Sequence, residues 1–254
     1  MASNFLLETV SLSKSFDGVK AVDSVSIQIP ERTITTIIGP NGAGKTTLFN
    51  IISGLIVEDS GVVRYKDKSL NDTPAWNRSA AGIGRLWQDV RLFKNMTAME
   101  NLLVAGRKQA GEKILDLFFQ PHKVGAIEKE NRQQALEILE LFGLAEKRNT
   151  ISEDLSYGQQ KLIALGRLLM NNSDLLLLDE PTAGVNPVII EKLLEHILNL
   201  VKNGKTVLMI EHDVPKAMAI SDMIYVMDNG RIALSGSPSE ILSNTQLKEI
   251  YVGV

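Results

Sequence analysis

The sequence predicts an α/β nucleotide-binding core interrupted by a helical insert, and three observations predict it. A complete phosphate-binding loop, Gly39-Pro40-Asn41-Gly42-Ala43-Gly44-Lys45-Thr46, sits between an extended apolar run, Ile34 to Ile38, and an apolar-periodic segment that begins at Thr47. Two more apolar runs, Leu175 to Leu178 and Val207 to Ile210, flank a helical pattern from about Val188 to Val201. That is a β-α-β unit, and it argues for a parallel sheet. Between about Asp89 and Asn171 the character is helical instead.

Taken in order, Phe5 to Leu12 and Val25 to Ile29 read as strands. In the second, Val25, Ile27 and Ile29 alternate with Ser26 and Gln28, as in a half-buried strand. The phosphate loop comes next. Its glycines let the backbone turn tightly and approach an anion, and successive amide N–H groups with the positive end of the following helix face it. Lys45 supplies a point charge for the β- and γ-phosphates, and Thr46 a hydroxyl for Mg²⁺. Val62 to Lys66 is a further short strand. Thr97 and Glu100 have capping-box spacing ahead of Leu102 and Leu103. Ala135, Ile138, Leu139 and Phe142 recur at helical spacing, with Gly143 as a stop. The stretch Gly106 to Lys129 is mixed and sets no boundaries. Ser156 and Gln159 repeat the capping-box spacing before a helix from Gln160 to Met170. The run Leu175 to Leu178 ends in Asp179-Glu180, which reads as a buried strand whose tip meets a ligand crevice. Met223 to Met227 and Arg231 to Leu234 flank Asp228-Asn229-Gly230, a hairpin signal. All of this reads as a single domain over 1–254, with the helical subdomain at roughly 89–171.

Composition narrows the function classes. The chain has 254 residues, 44 % of them hydrophobic and 22 % charged, which suits a sizeable soluble core. There is no cysteine, so neither a disulfide framework nor a thiolate metal site is available. No apolar stretch approaches the length of a membrane span, and the first residues lack a signal-peptide pattern. The net charge of −3 disfavours a nucleic-acid partner.

The order phosphate loop, Gln88, Leu155-Ser156-Tyr157-Gly158-Gln159, Leu175 to Glu180, then His212 resembles the ATP-binding cassette (ABC) ATPases, the motor subunits of ABC transporters. The resemblance covers about Phe5 to Val252. It implies a phosphate-loop core with an antiparallel β portion and a helical subdomain that carries the signature. It implies ATP and Mg²⁺ as ligands. Asn41, Gly42, Ala43, Gly44, Lys45, Thr46 and Thr47 become nucleotide contacts, and Phe16 an aromatic against adenine. Thr46, Asp179 and Gln88 become metal contacts. Glu180 resembles the general base, His212 the residue on the γ-phosphate, and Gln88 the link to the membrane subunit. Ser156 and Gly158 resemble the residues that bind a γ-phosphate held by the opposite subunit. The partners implied are a second ATPase subunit facing head to tail, integral-membrane permease subunits and, indirectly, a solute-binding protein, with the chain peripheral on the cytoplasmic face of the membrane.

Two departures refine the resemblance. Tyr157 stands where glycine is usual, and Asn186 where many members carry Asp. Both features, with the Tyr251-Val252-Gly253 ending, are similar to ATPases of branched-chain amino acid importers. ATPases of urea or amide importers and of lipopolysaccharide export are the neighbouring alternatives. A soluble ABC-type ATPase acting on DNA or ribosomes is disfavoured by the single cassette and the missing heptads. A P-loop GTPase or small-molecule kinase leaves Leu155 to Gln159 and His212 unexplained. Trp76 and Trp87 read as packing residues, with a part in the membrane-subunit groove beside Gln88 as the alternative for Trp87, and His122 and His196 as ordinary structural or surface positions.

Overall fold

The first two strands run further than their apolar alternation suggests. In the computed structural model, which describes residues 5–106 and 121–252, β1 (Phe5–Phe16) and β2 (Val19–Pro30) form a long antiparallel pair. The two-residue turn Asp17-Gly18 joins them, with both residues at positive φ, as two-residue hairpins prefer. Pairing of Lys14 and Ser15 to β2, and of Ser13 to Ser60, carries the polar stretch that alternation alone cannot. With β4 (Ser60–Tyr65) and β5 (Lys68–Ser69) these strands make an antiparallel sheet in the order β2-β1-β4-β5.

The second sheet has the order β10-β9-β3-β8-β7-β6. It comprises β3 (Ile34–Ile38), β6 (Ile83–Leu86), β7 (Leu175–Asp179), β8 (Thr206–Ile210), β9 (Met223–Asp228) and β10 (Arg231–Gly236). All its pairings are parallel except β9 with β10, the predicted hairpin. Strands β3, β7 and β8 are buried throughout, which is why they are continuous apolar runs rather than alternating ones. Their C-terminal ends carry the phosphate loop, Glu180 and Glu211-His212, the side of a parallel sheet where ligands bind.

Helix α1 (Lys45–Ile52) follows the loop and packs Leu48, Phe49, Ile51 and Ile52 into a core shared with both sheets. Its last carbonyls are satisfied from α2 (Ala75–Ala81): Arg78, only 3 % exposed, donates to Ile51 O at 2.7 Å and Ile52 O at 3.0 Å. The expectation that Trp76 packs is corrected, since it is 73 % exposed. Residues two apart on a helix face different ways, and α2 turns Arg78 inward.

The chain divides into two compact units. The first holds both sheets and comprises 1–88, 174–183 and 194–254; the second comprises 89–173 and 184–193. In the second unit, α3 (Ala98–Val104) starts on the predicted Thr97–Glu100 capping box. The helical character expected from Asp89 begins only there, because the buried Asn101 amide holds the preceding loop through Phe93 N–H, Phe93 O and Met96 O. Then come α4 (Pro121–Leu141), stopped by Gly143 at φ 66°, and α5 (Tyr157–Met170). Much of the mixed stretch 106–129 lies outside the described residues, and its end belongs to α4. His122 is exposed, as expected. Gly166 lets α5 approach closely, since a Cβ there would meet Ile138 and Leu102 at 2.8 and 2.9 Å. Helix α6 (Pro187–Lys202) begins in this unit and ends in the first. The first unit closes with α7 (Val214–Ile220), α8 (Pro238–Ser243) and α9 (Gln246–Val252), whose Ala217, Ile241 and Leu247 pack with β9.

Candidate active site

The phosphate loop is shaped by what surrounds it. A Cβ on Gly39 would lie 2.0 Å from Met227 O, and one on Gly44 2.0 Å from Ala21 O. Both glycines have positive φ, 151° and 100°, so no other residue fits these two positions without strain. From outside, Gly230 N–H donates to Ala43 O at 3.0 Å, and Asp23 N–H donates to Gly230 O at 2.8 Å. Arg231 forks onto the Asp23 carboxylate at 2.8 and 2.5 Å, and that pairing holds the carboxyl below its ordinary range. The hairpin β9–β10 and β2 thus bracket the loop.

Asn41 to Thr47 line a cavity of 240 Å³ together with Ala21, Glu180 and His212. Lys45 is 6 % exposed, and its ammonium donates to Gly39 O and Pro40 O, both at 2.8 Å. Burial lowers its pKa, opposed by the charges of Glu180 and Asp179. Thr46 is exposed at the head of α1. Asp179, 4 % exposed at the tip of β7, takes a hydrogen bond from Arg85 at 2.8 Å. Arg85 also donates to Asn50 Oδ1 on α1 and to Ser53 Oγ at its C-cap, and its guanidinium lies 4.1 Å from the Trp87 ring centre. Trp87 therefore packs, as expected, and it packs on the arginine that holds Asp179.

Glu180 is the centre of the arrangement. Its Oε2 accepts from Gln88 Nε2 at 2.8 Å, and His212 Nε2 lies 2.5 Å from its Oε1. Its φ of 48° is unusual for a residue with a side chain. Behind it, Glu211 is 2 % exposed and accepts from Thr182. Burial pushes the Glu211 carboxyl up, and the Thr182 donors oppose that. A carboxylate lodged between an amide and an imidazole beside a phosphate loop is suited to accept a proton from water.

Oxygen donors dominate the metal candidates: the Asp179 carboxylate, the Thr46 hydroxyl and the Gln88 amide. Among the described residues no group of three or more His, Asp or Glu forms a metal cage. Such a set, with one carboxylate among hard oxygen donors, fits Mg²⁺, which is bound through one or two carboxylates together with substrate phosphates and water.

Not every predicted contact lies at the cavity. Phe16, at the tip of the β1–β2 hairpin, is 43 % exposed with the Lys14 ammonium 5.6 Å from its ring centre. It is not among the residues that line the cavity. Ser156 and Gly158 belong to the second unit. Ser156 is an exposed N-cap whose capping box with Gln159 is fully formed. Gly158 is buried, and a Cβ there would lie 2.7 Å from Ile189 Cγ2 and 3.3 Å from Val185 Cγ1. Tyr157 lies against Gly184, with the Lys161 ammonium 5.4 Å from its ring centre.

Sequence reasoning missed Ala21, Arg85, Asp23, Arg231 and Glu211. Only Arg85 and Glu211 carried a signal, each a charged residue within an apolar strand pattern or at its end.

A phosphate loop whose cavity is closed by a strand-tip carboxylate defines an α/β nucleotide hydrolase. Residues 22–183 match the ABC transporter family, and the chain belongs to that family as one of its ATPase subunits. It is 38 % identical over 252 residues to the probable branched-chain amino acid transport ATP-binding protein LivG of Archaeoglobus fulgidus, covering 98 % of this chain and 95 % of that one. It is 36 % identical over 249 residues to the high-affinity branched-chain amino acid transport ATP-binding protein LivG of Salmonella typhimurium, covering 98 % of each. The fold superposes on the crystal structure of a nucleotide-free ATP-binding cassette from an ABC transporter with a TM-score of 0.85. The identity there is 35 %, over 98 % of this chain and 100 % of that one. Among the described residues, no helix is long and apolar enough to cross a membrane.

Proposed function

We propose that this chain, acting as a single nucleotide-binding domain, is the motor subunit of an importer for branched-chain or related amino acids. The cargo assignment rests on similarity to the LivG proteins along nearly the whole of both chains. The mechanism rests on one observation: Glu180 faces the phosphate-loop cavity between Gln88 and His212.

Lys45 and the loop amides hold the β- and γ-phosphates of ATP, and Phe16 stacks on adenine. Thr46 and Asp179, with Gln88, would hold Mg²⁺, which would neutralise charge on the phosphates. Glu180 accepts the proton of the attacking water, and His212 keeps the carboxylate in place and contacts the γ-phosphate. Ser156 and Gly158 complete the site of a second ATPase subunit facing head to tail. The exposed, capped helix start is suited to an anion held by another molecule. Opening and closing of that pair drives permease subunits through the Gln88 region, placing the chain peripherally on the membrane with a solute-binding protein upstream.

Glu180→Gln is expected to bind ATP, accumulate as a dimer and hydrolyse at least about a hundredfold more slowly. Normal turnover in that variant overturns the base assignment. For the cargo, co-purified permease subunits in proteoliposomes with their binding protein should take up leucine, isoleucine or valine on ATP. Uptake of urea or short amides instead refutes the amino-acid reading.

A further inference from the structure

The strained backbone at Glu180 needs something to hold it, because such conformations persist only where the surroundings over-determine them. The turn from Glu180 to Ala183 is anchored at its start by Glu180 N–H, which donates to Ile210 O on β8 at 3.1 Å. It closes on itself through Ala183 N–H to Glu180 O at 3.2 Å. Its middle is anchored by Glu211. One oxygen of that carboxyl accepts from Thr182 N–H at 3.3 Å, and the other from the Thr182 hydroxyl at 3.2 Å. Both residues are buried, Thr182 at 4 % and Glu211 at 2 % exposure. Glu211 is itself fixed, since its N–H donates to Ile37 O at 3.2 Å on β3, the strand that leads into the phosphate loop.

Glu211 does not line the cavity, whereas its neighbour His212 does. A buried carboxylate carries a desolvation cost that an apolar residue of similar size avoids. Packing alone therefore does not account for Glu211. We infer that Glu211 is a positioning residue for Glu180: by gripping Thr182 through both oxygens it holds the turn that aims the Glu180 carboxylate between Gln88 and His212. Two successive residues of one strand end then serve the same carboxylate, His212 by touching it and Glu211 by fixing the backbone beneath it.

The inference rests on Glu180 being the base, and the experiment separates the two. Steady-state ATPase activity, ATP affinity from a fluorescent nucleotide and melting temperature would be measured on the full chain for Glu211→Leu, Thr182→Val and Glu211→Gln. The first two should lower kcat about tenfold or more and leave ATP affinity within about twofold. Glu211→Gln should keep most activity, because its amide can accept from Thr182 N–H and donate to the hydroxyl. In a Glu180→Gln background, Glu211→Leu should reduce the residual turnover no further, whereas a merely structural role would reduce it again. Unchanged kcat in both Glu211→Leu and Thr182→Val overturns the inference, as does a further loss in that background. If Glu211→Leu does not fold, Thr182→Val, which exchanges only a hydroxyl for a methyl, decides the matter. Normal turnover by Glu180→Gln alone overturns the base assignment and this inference together.

Discussion

The two segments proposed to grip phosphate are supported in opposite ways. The loop from Gly39 to Thr46 is shaped by residues far away in sequence. Ala21 and Met227 leave no room beside its glycines, Gly230 ties down Ala43, and Arg85 joins α1 to Asp179. The helix start at Ser156 is shaped locally, by a capping box that closes within four residues, while the two residues after it lean on more distant ones, Tyr157 on Gly184 and Gly158 on Ile189 and Val185. The contrast teaches that a rigid cradle needs scaffolding from several strands, while an exposed helix terminus can be built from its own first turn.

Substitutions on each side can break or sharpen that contrast. Gly44→Ala should be the most damaging. The new methyl meets the Ala21 carbonyl and the residue must keep φ 100°, two penalties that together cost about 5 kcal/mol. ATP binding and the melting temperature should both collapse, and a stable, ATP-binding Gly44→Ala protein would sink the scaffolding account. Arg85→Met leaves Asp179 buried without its partner, at a cost of about 3 kcal/mol. Chemical denaturation would read that loss, and Arg85→Met paired with Asp179→Asn should recover part of it. In the second unit, Gly158→Ala presses on the Ile189 side chain rather than on backbone, so about 1–2 kcal/mol is expected. A loss equal to that of Gly44→Ala would erase the contrast. Ser156→Ala removes one local cap, worth about 1 kcal/mol. It should melt almost normally while hydrolysis by the assembled transporter falls, and unaffected hydrolysis would detach Ser156 from the chemistry.

What was legible in the sequence divides along the same line. The strands β3, β7 and β8, the β9–β10 hairpin, the Thr97 and Ser156 capping boxes and the stop at Gly143 are all written in short windows, and the structure contains each. The longer β1 was not legible, because Ser13 to Ser15 become strand by pairing with β4 at Ser13 and with β2 at Lys14 and Ser15. Asp17-Gly18 is the hairpin signal that marks where β1 ends. Trp76 misled because an aromatic in a helix usually packs, whereas Arg78 takes the inward position. Among candidate site residues, those in contiguous motifs could be named in advance. Arg85 and Asp179 lie 94 positions apart, and Glu211 and Thr182 lie 29 apart. No spacing rule joins such pairs, and only the sheet order brings them together.

Arg78 carries one more consequence. Helix α1 has eight residues, so it is about 12 Å long, and a buried guanidinium sits on its trailing carbonyls. That cation offsets the negative pole of the helix. The positive pole at the phosphate loop is then less opposed from the far end, in so far as the neighbouring Glu58 carboxylate leaves the Arg78 charge uncancelled. Nucleotide affinity is thereby open to tuning from the blind end of the helix, by a side chain no nucleotide can touch.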